Sequence, residues 1–164
     1  MGESGAPVHR RSAIKGDLER MFLGTYEHTI DEKGRMTIPV RFRELIVDGA
    51  YITLGFDHNL MVLTSEVFDS LSTRINAMSI TNPAARDLRR LMFANAGQVS
   101  VDKVGRILIP QFLRSLVNLD GQAVVIGVGG YFEIWTPQIW NDRSVNLLDG
   151  ETNDQRYETL DLSL

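Results

Sequence analysis

Two short segments of the sequence combine an acid, a glycine and an arginine at one spacing. The pattern Asp-x-x-Gly-Arg occurs at Asp31–Arg35 and again at Asp102–Arg106. The aspartate can accept hydrogen bonds from the amides of a tight turn, while Gly34 or Gly105 can adopt the positive φ that closes it. The arginine then leaves on a strand, where its guanidinium can pair with the aspartate or bind a phosphate or guanine edge. Spacing alone leaves both interpretations open, a structural staple and a nucleic-acid contact.

The two segments belong to an internal repeat. Asp31–Pro39 reappears as Asp102–Pro110 at an offset of 71, and Asp48-Gly49 meets Asp120-Gly121 at an offset of 72. Register kept over roughly forty residues indicates a duplicated structural unit rather than chance. Each copy predicts a strand, a turn, a strand that ends at a proline, a short helix and two apolar strands.

Short strands and helices must therefore position the motif. The predicted strands are Thr25–Ile30, Arg35–Ile38, Tyr51–Leu54 and Leu60–Leu63 in the first copy, and Gln98–Val101, Arg106–Ile109, Ala123–Val128 and Tyr131–Trp135 in the second. Between the copies, we expect Ser65 to cap one helix and Asn82-Pro83 to begin another. The second of these helices should carry three arginines outward, for which a solvated face, a DNA contact and a subunit contact all stay open. They are Arg86, Arg89 and Arg90.

Composition restricts the class of protein. Hydrophobic residues make up 43% and charged residues 23% of 164 residues, as in soluble globular proteins. Neither an apolar run of roughly 18 residues nor a secretory signal is present, so we expect a cytoplasmic protein without a membrane partner. The absence of cysteine excludes disulfides and thiol chemistry, and His9, His28 and His58 lack metal-ligand spacing. We therefore expect no metal, no cofactor and no small-molecule substrate.

The net charge of -4 argues at first against a nucleic-acid partner. Six of the 21 acidic residues and two of the 17 basic residues follow Trp140, which leaves fifteen of each in the body. A neutral body can still carry a basic face if its arginines gather on one side. Charge therefore leaves a DNA-binding function possible.

Three segments resemble the MraZ family: residues 21–26, Ile30–Pro39 and Asp102–Pro110. The resemblance extends from residue 21 to about residue 143. It implies an α+β, β-rich fold of two tandem, pseudo-symmetric swapped-hairpin AbrB-like modules of the SpoVT-AbrB type. These are double-psi-like half-barrels with short helices. It also implies a nucleoid-associated regulator of the division and cell-wall gene cluster, which binds repeated G-rich promoter boxes as a ring-like homo-oligomer.

The resemblance and the repeat together divide the chain into four parts. We expect residues 1–20 to be a flexible N-terminal extension, residues 21–94 the first module with a helical insertion, residues 95–143 the second module, and residues 144–164 an acidic tail. We assign no function to the extension or to the tail.

The resemblance places the DNA contacts on the motif arginines Arg35 and Arg106. Nearby basic side chains complete the predicted DNA-binding set, which is Lys33, Arg35, Arg41, Arg43, Lys103, Arg106 and Arg114. Residues 31–43 make the denser basic patch, with four basic side chains against three in residues 102–114, although Glu32 and Glu44 partly oppose it. We therefore expect the first module to contribute more to affinity.

Two other functions were weighed. Asp31, Glu32 and Asp102 could be imagined as catalytic carboxylates, but turn caps are commonplace and no catalytic base accompanies them in both copies, so we expect no enzyme. An AbrB-type protein-interaction or antitoxin-like module is the stronger alternative. Two full modules followed by a short tail favour the regulator.

Overall fold

The computed structural model describes residues 18–162, and within them each repeat follows the predicted order of elements. The strands are β1 (Phe22–Thr29), β2 (Arg35–Thr37), β3 (Ala50–Leu54), β4 (Leu60–Thr64), β5 (Gly97–Val99), β6 (Arg106–Leu108), β7 (Gln122–Gly129) and β8 (Tyr131–Trp135). The helices are α1 (Val40–Leu45), α2 (Ser65–Asn76), α3 (Pro83–Phe93), α4 (Gln111–Leu116), α5 (Pro137–Leu147) and α6 (Gly150–Arg156). The fold is thus α+β and β-rich, as predicted.

One antiparallel sheet joins the two repeats. Its order is β1-β7-β8-β4-β3-β5, so each outer strand lies against a strand of the opposite repeat. β1 pairs with β7 from Phe22 opposite Gly129 to Thr29 opposite Gln122. β5 pairs with β3, where Val99 lies opposite Ala50. The exchange confirms the swapped-hairpin arrangement of two tandem modules.

The strands that follow the two turns pair with each other rather than with their own predecessors. β2 and β6 form a separate antiparallel pair in which Met36 lies opposite Ile107. Within the first repeat, a single β-bridge between Ile30 and Met36 connects β2 to the end of the preceding strand. We call the pair Arg35–Thr37 and Arg106–Leu108 the crossed ribbon.

The core lies beneath the crossed ribbon and against one face of the sheet. Met36 and Ile107 are buried at the centre of the ribbon, since alternate residues of a strand point to opposite faces. Phe22, Phe42 and Phe132 pack below, with ring centroids 5.0 to 5.3 Å apart. Phe42 is fully buried, so Phe42→Ala would cost about 3–5 kcal/mol of folding free energy.

Helices α2 and α3 form the insertion between the repeats. Thr64, and not Ser65 as predicted, caps α2, because its hydroxyl oxygen accepts a hydrogen bond from the Val67 amide at 3.2 Å. The predicted Asn82 cap of α3 is confirmed, since its Oδ1 accepts from the Ala84 amide at 2.9 Å.

The arginines of α3 do not all face outward as predicted. Arg86 donates to the Ile80 carbonyl at 3.0 Å, and Arg89 donates to the Met78 carbonyl. Both side chains therefore hold the loop between α2 and α3. Only Arg90 keeps a largely exposed side chain, which pairs with Asp87 at 2.8 Å.

The C-terminal segment is helical. Ile139 and Trp140 pack α5 against Val124, Ile126 and Trp135, and α5 continues beyond residue 143 into the predicted acidic tail. Asp149 accepts a hydrogen bond from the Glu151 amide and so caps α6. Residues 1–17, most of the predicted N-terminal extension, lie outside the described residues. No helix between residues 18 and 162 is long and apolar enough to cross a membrane.

Candidate nucleic-acid interface

Each motif aspartate organises its own turn. In the first turn (Asp31–Arg35), one carboxylate oxygen accepts hydrogen bonds from the Lys33 amide at 2.9 Å and the Arg35 amide at 2.8 Å. In the second turn (Asp102–Arg106), the equivalent bonds from the amides of residues 104 and 106 measure 3.0 and 2.9 Å. The two turns therefore share one backbone geometry.

The second carboxylate oxygen binds the motif arginine. Arg35 Nε donates to Asp31 Oδ2 at 2.7 Å, and Arg106 Nε donates to Asp102 Oδ2 at 2.8 Å. Of the two interpretations that the spacing left open, the internal pair is thus present. It engages only Nε, and within residues 18–162 the Nη groups of both arginines have no hydrogen-bond partner. The Arg35 and Arg106 side chains are 36% and 31% exposed. Each arginine is therefore held by one edge and available at the other.

The same contacts set the charge state of the aspartates. The hydrogen bond from the Arg35 amide is the main cause that lowers the pKa of Asp31, and the Arg35 guanidinium adds to it. The Arg106 amide and guanidinium lower the pKa of Asp102 in the same way. Both turns therefore carry an ionised carboxylate at neutral pH, which keeps its arginine oriented.

The motif glycines are required for conformation and for space. Gly34 and Gly105 have φ of +86° and +85°, in the left-handed region that other residues rarely adopt. A Cβ at Gly34 would lie 2.8 Å from Nε and Nη2 of Arg114, and a Cβ at Gly105 would overlap the guanidinium of Arg43. An arginine of the opposite repeat thus covers each buried glycine.

The crossed ribbon brings both motif arginines to one surface. Met36 and Ile107 point inward, so their neighbours along each strand point outward. Arg35 lies opposite Leu108, and Arg106 lies opposite Thr37. The two arginines are therefore diagonal neighbours with Cα atoms roughly 7–8 Å apart. No local pattern in the sequence predicts this, because the two residues are 71 positions apart.

The remaining basic residues of the predicted set occupy two environments. Lys33 and Lys103 are exposed within the turns, and Arg41 is exposed on helix α1, where it donates to the Leu18 carbonyl at 3.3 Å. Arg43 and Arg114 are half-buried: their Nε atoms donate to the carbonyls of residues 38 and 109 at 2.9 and 3.0 Å. Burial and, secondarily, the charge of Arg43 lower the pKa of His28.

Three exposed apolar side chains of the second repeat lie on its turn, its ribbon strand and helix α4, and sequence reasoning missed them. They are Val104, Leu108 and Phe112, which are 62%, 56% and 52% exposed. At the offset of 71, their counterparts in the first repeat are Lys33, Thr37 and Arg41. Comparison of the two copies position by position is the signal that would have found them.

Within the part of the chain that the structure describes, no three His, Asp or Glu side chains are grouped so as to hold a metal ion. The motif carboxylates instead bind amides and arginines of their own turns.

Two repeats that exchange their strands and pair their motif turns across a ribbon define a tandem swapped-hairpin protein of the SpoVT-AbrB class. The model of the family described as "MraZ protein, putative antitoxin-like" matches residues 21–91 and again residues 92–161.

Curated relatives agree with this match. "Transcriptional regulator MraZ" of Herpetosiphon aurantiacus is 50% identical over 120 residues, which cover 73% of this chain and 84% of that protein. The protein of the same name from Roseiflexus castenholzii is 46% identical over 122 residues, covering 74% and 85%. That from Thermomicrobium roseum is 40% identical over 141 residues, covering 85% and 99%. The chain therefore belongs to the MraZ family of transcriptional regulators.

Proposed function

We propose that this protein regulates transcription by binding duplex DNA through the crossed ribbon. One observation carries the proposal: two guanidinium groups, whose Nη atoms have no hydrogen-bond partner among residues 18–162, share the outward face of one two-stranded ribbon. The major groove of B-DNA admits a two-stranded ribbon, and an arginine can bind the O6 and N7 of a guanine at once. Arg35 and Arg106 are the proposed base contacts, and the G-rich preference follows from them.

The other basic residues would supply affinity without sequence preference. Lys33 and Lys103 are exposed within the turns and Arg41 is exposed on helix α1, and all three would neutralise phosphates. Arg43 and Arg114 complete the proposed set; they are half-buried and would act through the turns that they cover. The acidic C-terminal segment does not oppose this, because charge distribution rather than net charge determines where DNA binds.

The proposed targets are repeated G-rich boxes in the promoter of the division and cell-wall gene cluster, which implies action in the cytoplasm at the nucleoid. We propose a ring-like homo-oligomer as the assembled form. Strand β1 supports it, because β1 is an outer strand of the sheet and its residues Leu23 and Tyr26 are exposed. Several ribbons on repeated boxes would bind far more tightly than one ribbon alone.

The test is a fluorescence-anisotropy titration of the full chain with duplexes that carry tandem G-rich boxes or the same bases scrambled. We expect tighter binding to the boxes and loss of that preference in the double variant Arg35→Ala/Arg106→Ala. If the wild type and the double variant show the same preference for the boxes, the proposed contacts are wrong. Light scattering after gel filtration tests the assembly, and a single subunit at all concentrations would contradict the ring.

A protein-interaction or antitoxin-like function is the second candidate. The exposed apolar side chains Val104, Leu108 and Phe112 favour it, because such side chains are typical of protein interfaces. A stable, salt-insensitive protein complex without any DNA binding would decide for this function.

A further inference from the structure

We propose that Arg43 and Arg114 are crossed positioning residues, each of which holds the turn of the opposite repeat in the conformation that presents its motif arginine. The proposal rests on the proposed DNA-binding function. It gives two basic residues a role distinct from phosphate contact.

The contacts of Arg43 connect helix α1 of the first repeat to the second turn. Arg43 Nε donates to the Ile38 carbonyl at 2.9 Å, and the Ile38 amide donates to the Gly105 carbonyl at 3.2 Å. Nε, Cζ and Nη1 of Arg43 also occupy the space where a Cβ of residue 105 would lie. The guanidinium therefore covers the glycine that directly precedes Arg106.

The contacts of Arg114 repeat this arrangement in the other direction. Arg114 Nε donates to the Ile109 carbonyl at 3.0 Å, and the Ile109 amide donates to the Gly34 carbonyl at 2.8 Å. Its Nε and Nη2 lie 2.8 Å from the position of a Cβ on Gly34. The same arrangement of contacts therefore occurs once in each repeat.

These contacts limit how far each arginine can act as a free charge. A guanidinium whose Nε is bound and whose face covers a buried glycine cannot turn to a phosphate without uncovering the turn. An arginine is suited to this, because its rigid planar group can cover a backbone and donate from a fixed edge. The contribution of Arg43 to DNA binding should therefore pass through Arg106, and that of Arg114 through Arg35.

A double-mutant cycle in anisotropy titrations with the tandem-box duplex tests this crossing. Arg43→Ala should weaken binding about tenfold, in the range of coupled pairs, yet add less than about twofold once Arg106→Ala is present. When Arg43→Ala is combined with Arg35→Ala, the two losses of affinity should multiply. Arg114→Ala should show the opposite dependence, which makes each arginine the matched control of the other. Losses that multiply in all four combinations would overturn the proposal.

A conservative variant separates geometry from charge. Arg43→Lys keeps the positive charge but lacks Nε in the guanidinium plane, so we expect it to bind DNA as weakly as Arg43→Ala. Recovery of wild-type affinity in Arg43→Lys would mean that charge alone matters, which contradicts a positioning role.

Amide hydrogen exchange provides a readout without DNA. The Arg106 and Arg35 amides donate to the motif aspartates, so they report the two turns separately. Arg43→Ala should accelerate exchange at Arg106 more than at Arg35, and Arg114→Ala should do the reverse. Equal acceleration at both sites would overturn the positioning role even if DNA binding holds. Crossed exchange in a protein that does not bind DNA would instead overturn the proposed function alone. If Arg43→Ala does not fold, Arg43→Gln carries the same comparison.

Discussion

The two turns have nearly the same backbone and different surfaces. Their aspartate–arginine bonds measure 2.7 and 2.8 Å, and their glycine φ angles are +86° and +85°. Around this common frame, the first turn carries Lys33 where the second carries Val104. Aspartate, glycine and arginine therefore keep the same positions and geometry in both turns, while the residues between them differ in chemistry.

The largest expected effect is on DNA affinity. Arg35→Ala and Arg106→Ala should each cost about 1–3 kcal/mol of binding free energy if each arginine binds a guanine. We expect the greater loss for Arg35, because residues 31–43 carry four basic side chains and residues 102–114 carry three. Anisotropy titrations at one salt concentration measure both. Arg74→Ala is the control for charge, because Arg74 is exposed in the last turn of α2, in the insertion between the repeats. Unchanged affinity in Arg35→Ala would contradict the principal contact.

The motif glycines give the next largest effect, on folding. Gly34→Ala and Gly105→Ala should each destabilise the fold by roughly 1–2 kcal/mol, because alanine is unfavourable at positive φ. Displacement of the covering arginine should add to this cost. Thermal unfolding measures it, and Gly97→Ala, where the added Cβ meets no atom within 4 Å, is the control. Equal Tm values for the wild type and the three glycine variants would mean that the two turns do not require glycine.

Lys33 and Val104, which occupy equivalent positions in the two turns, can be exchanged. Lys33→Val should reduce the slope of log affinity against log salt by about one unit, and Val104→Lys should increase it by the same amount. Neither should change sequence preference, since both act on phosphates. The measurement is a titration at several salt concentrations. Identical slopes in both variants would mean that neither position faces the backbone of DNA.

The smallest effect concerns pH. The turn contacts lower the pKa of Asp31 and Asp102 in the folded state. Their stabilisation is therefore present above the unfolded pKa of about 3.9, and it is lost as pH falls through the folded value. Carboxyl NMR titration should show that Arg35→Ala raises the pKa of Asp31 and leaves that of Asp102 unchanged. A rise in the pKa of both aspartates in Arg35→Ala would contradict the independence of the two turns.

The sequence predicts well what is set by neighbouring residues. The repeat and the order of strands and helices follow from spacing, because the periodicity of each element is local. The cap of α2 fell on Thr64 instead of Ser65, since adjacent hydroxyl residues offer the same hydrogen bond. Strand exchange was accessible only through family resemblance.

Contacts distant in sequence could not be predicted from the residues. Arg43 covers Gly105 and Arg114 covers Gly34, and neither relation has a local signal because each depends on the crossing of the two strands. Arg86 and Arg89 were expected outward because helical periodicity shows only which face is apolar. It cannot show that their guanidinium groups reach the carbonyls of the preceding loop.

The pairing of β2 with β6 is intramolecular. Both partners belong to one polypeptide, so closing the ribbon is a first-order event whose equilibrium does not depend on protein concentration. Cleavage in the connection between the repeats would leave the stability of the folded unit intact in concentrated solution and make it dependent on dilution. The fused duplication thus keeps two guanidinium groups at one separation even when few copies of the chain are present.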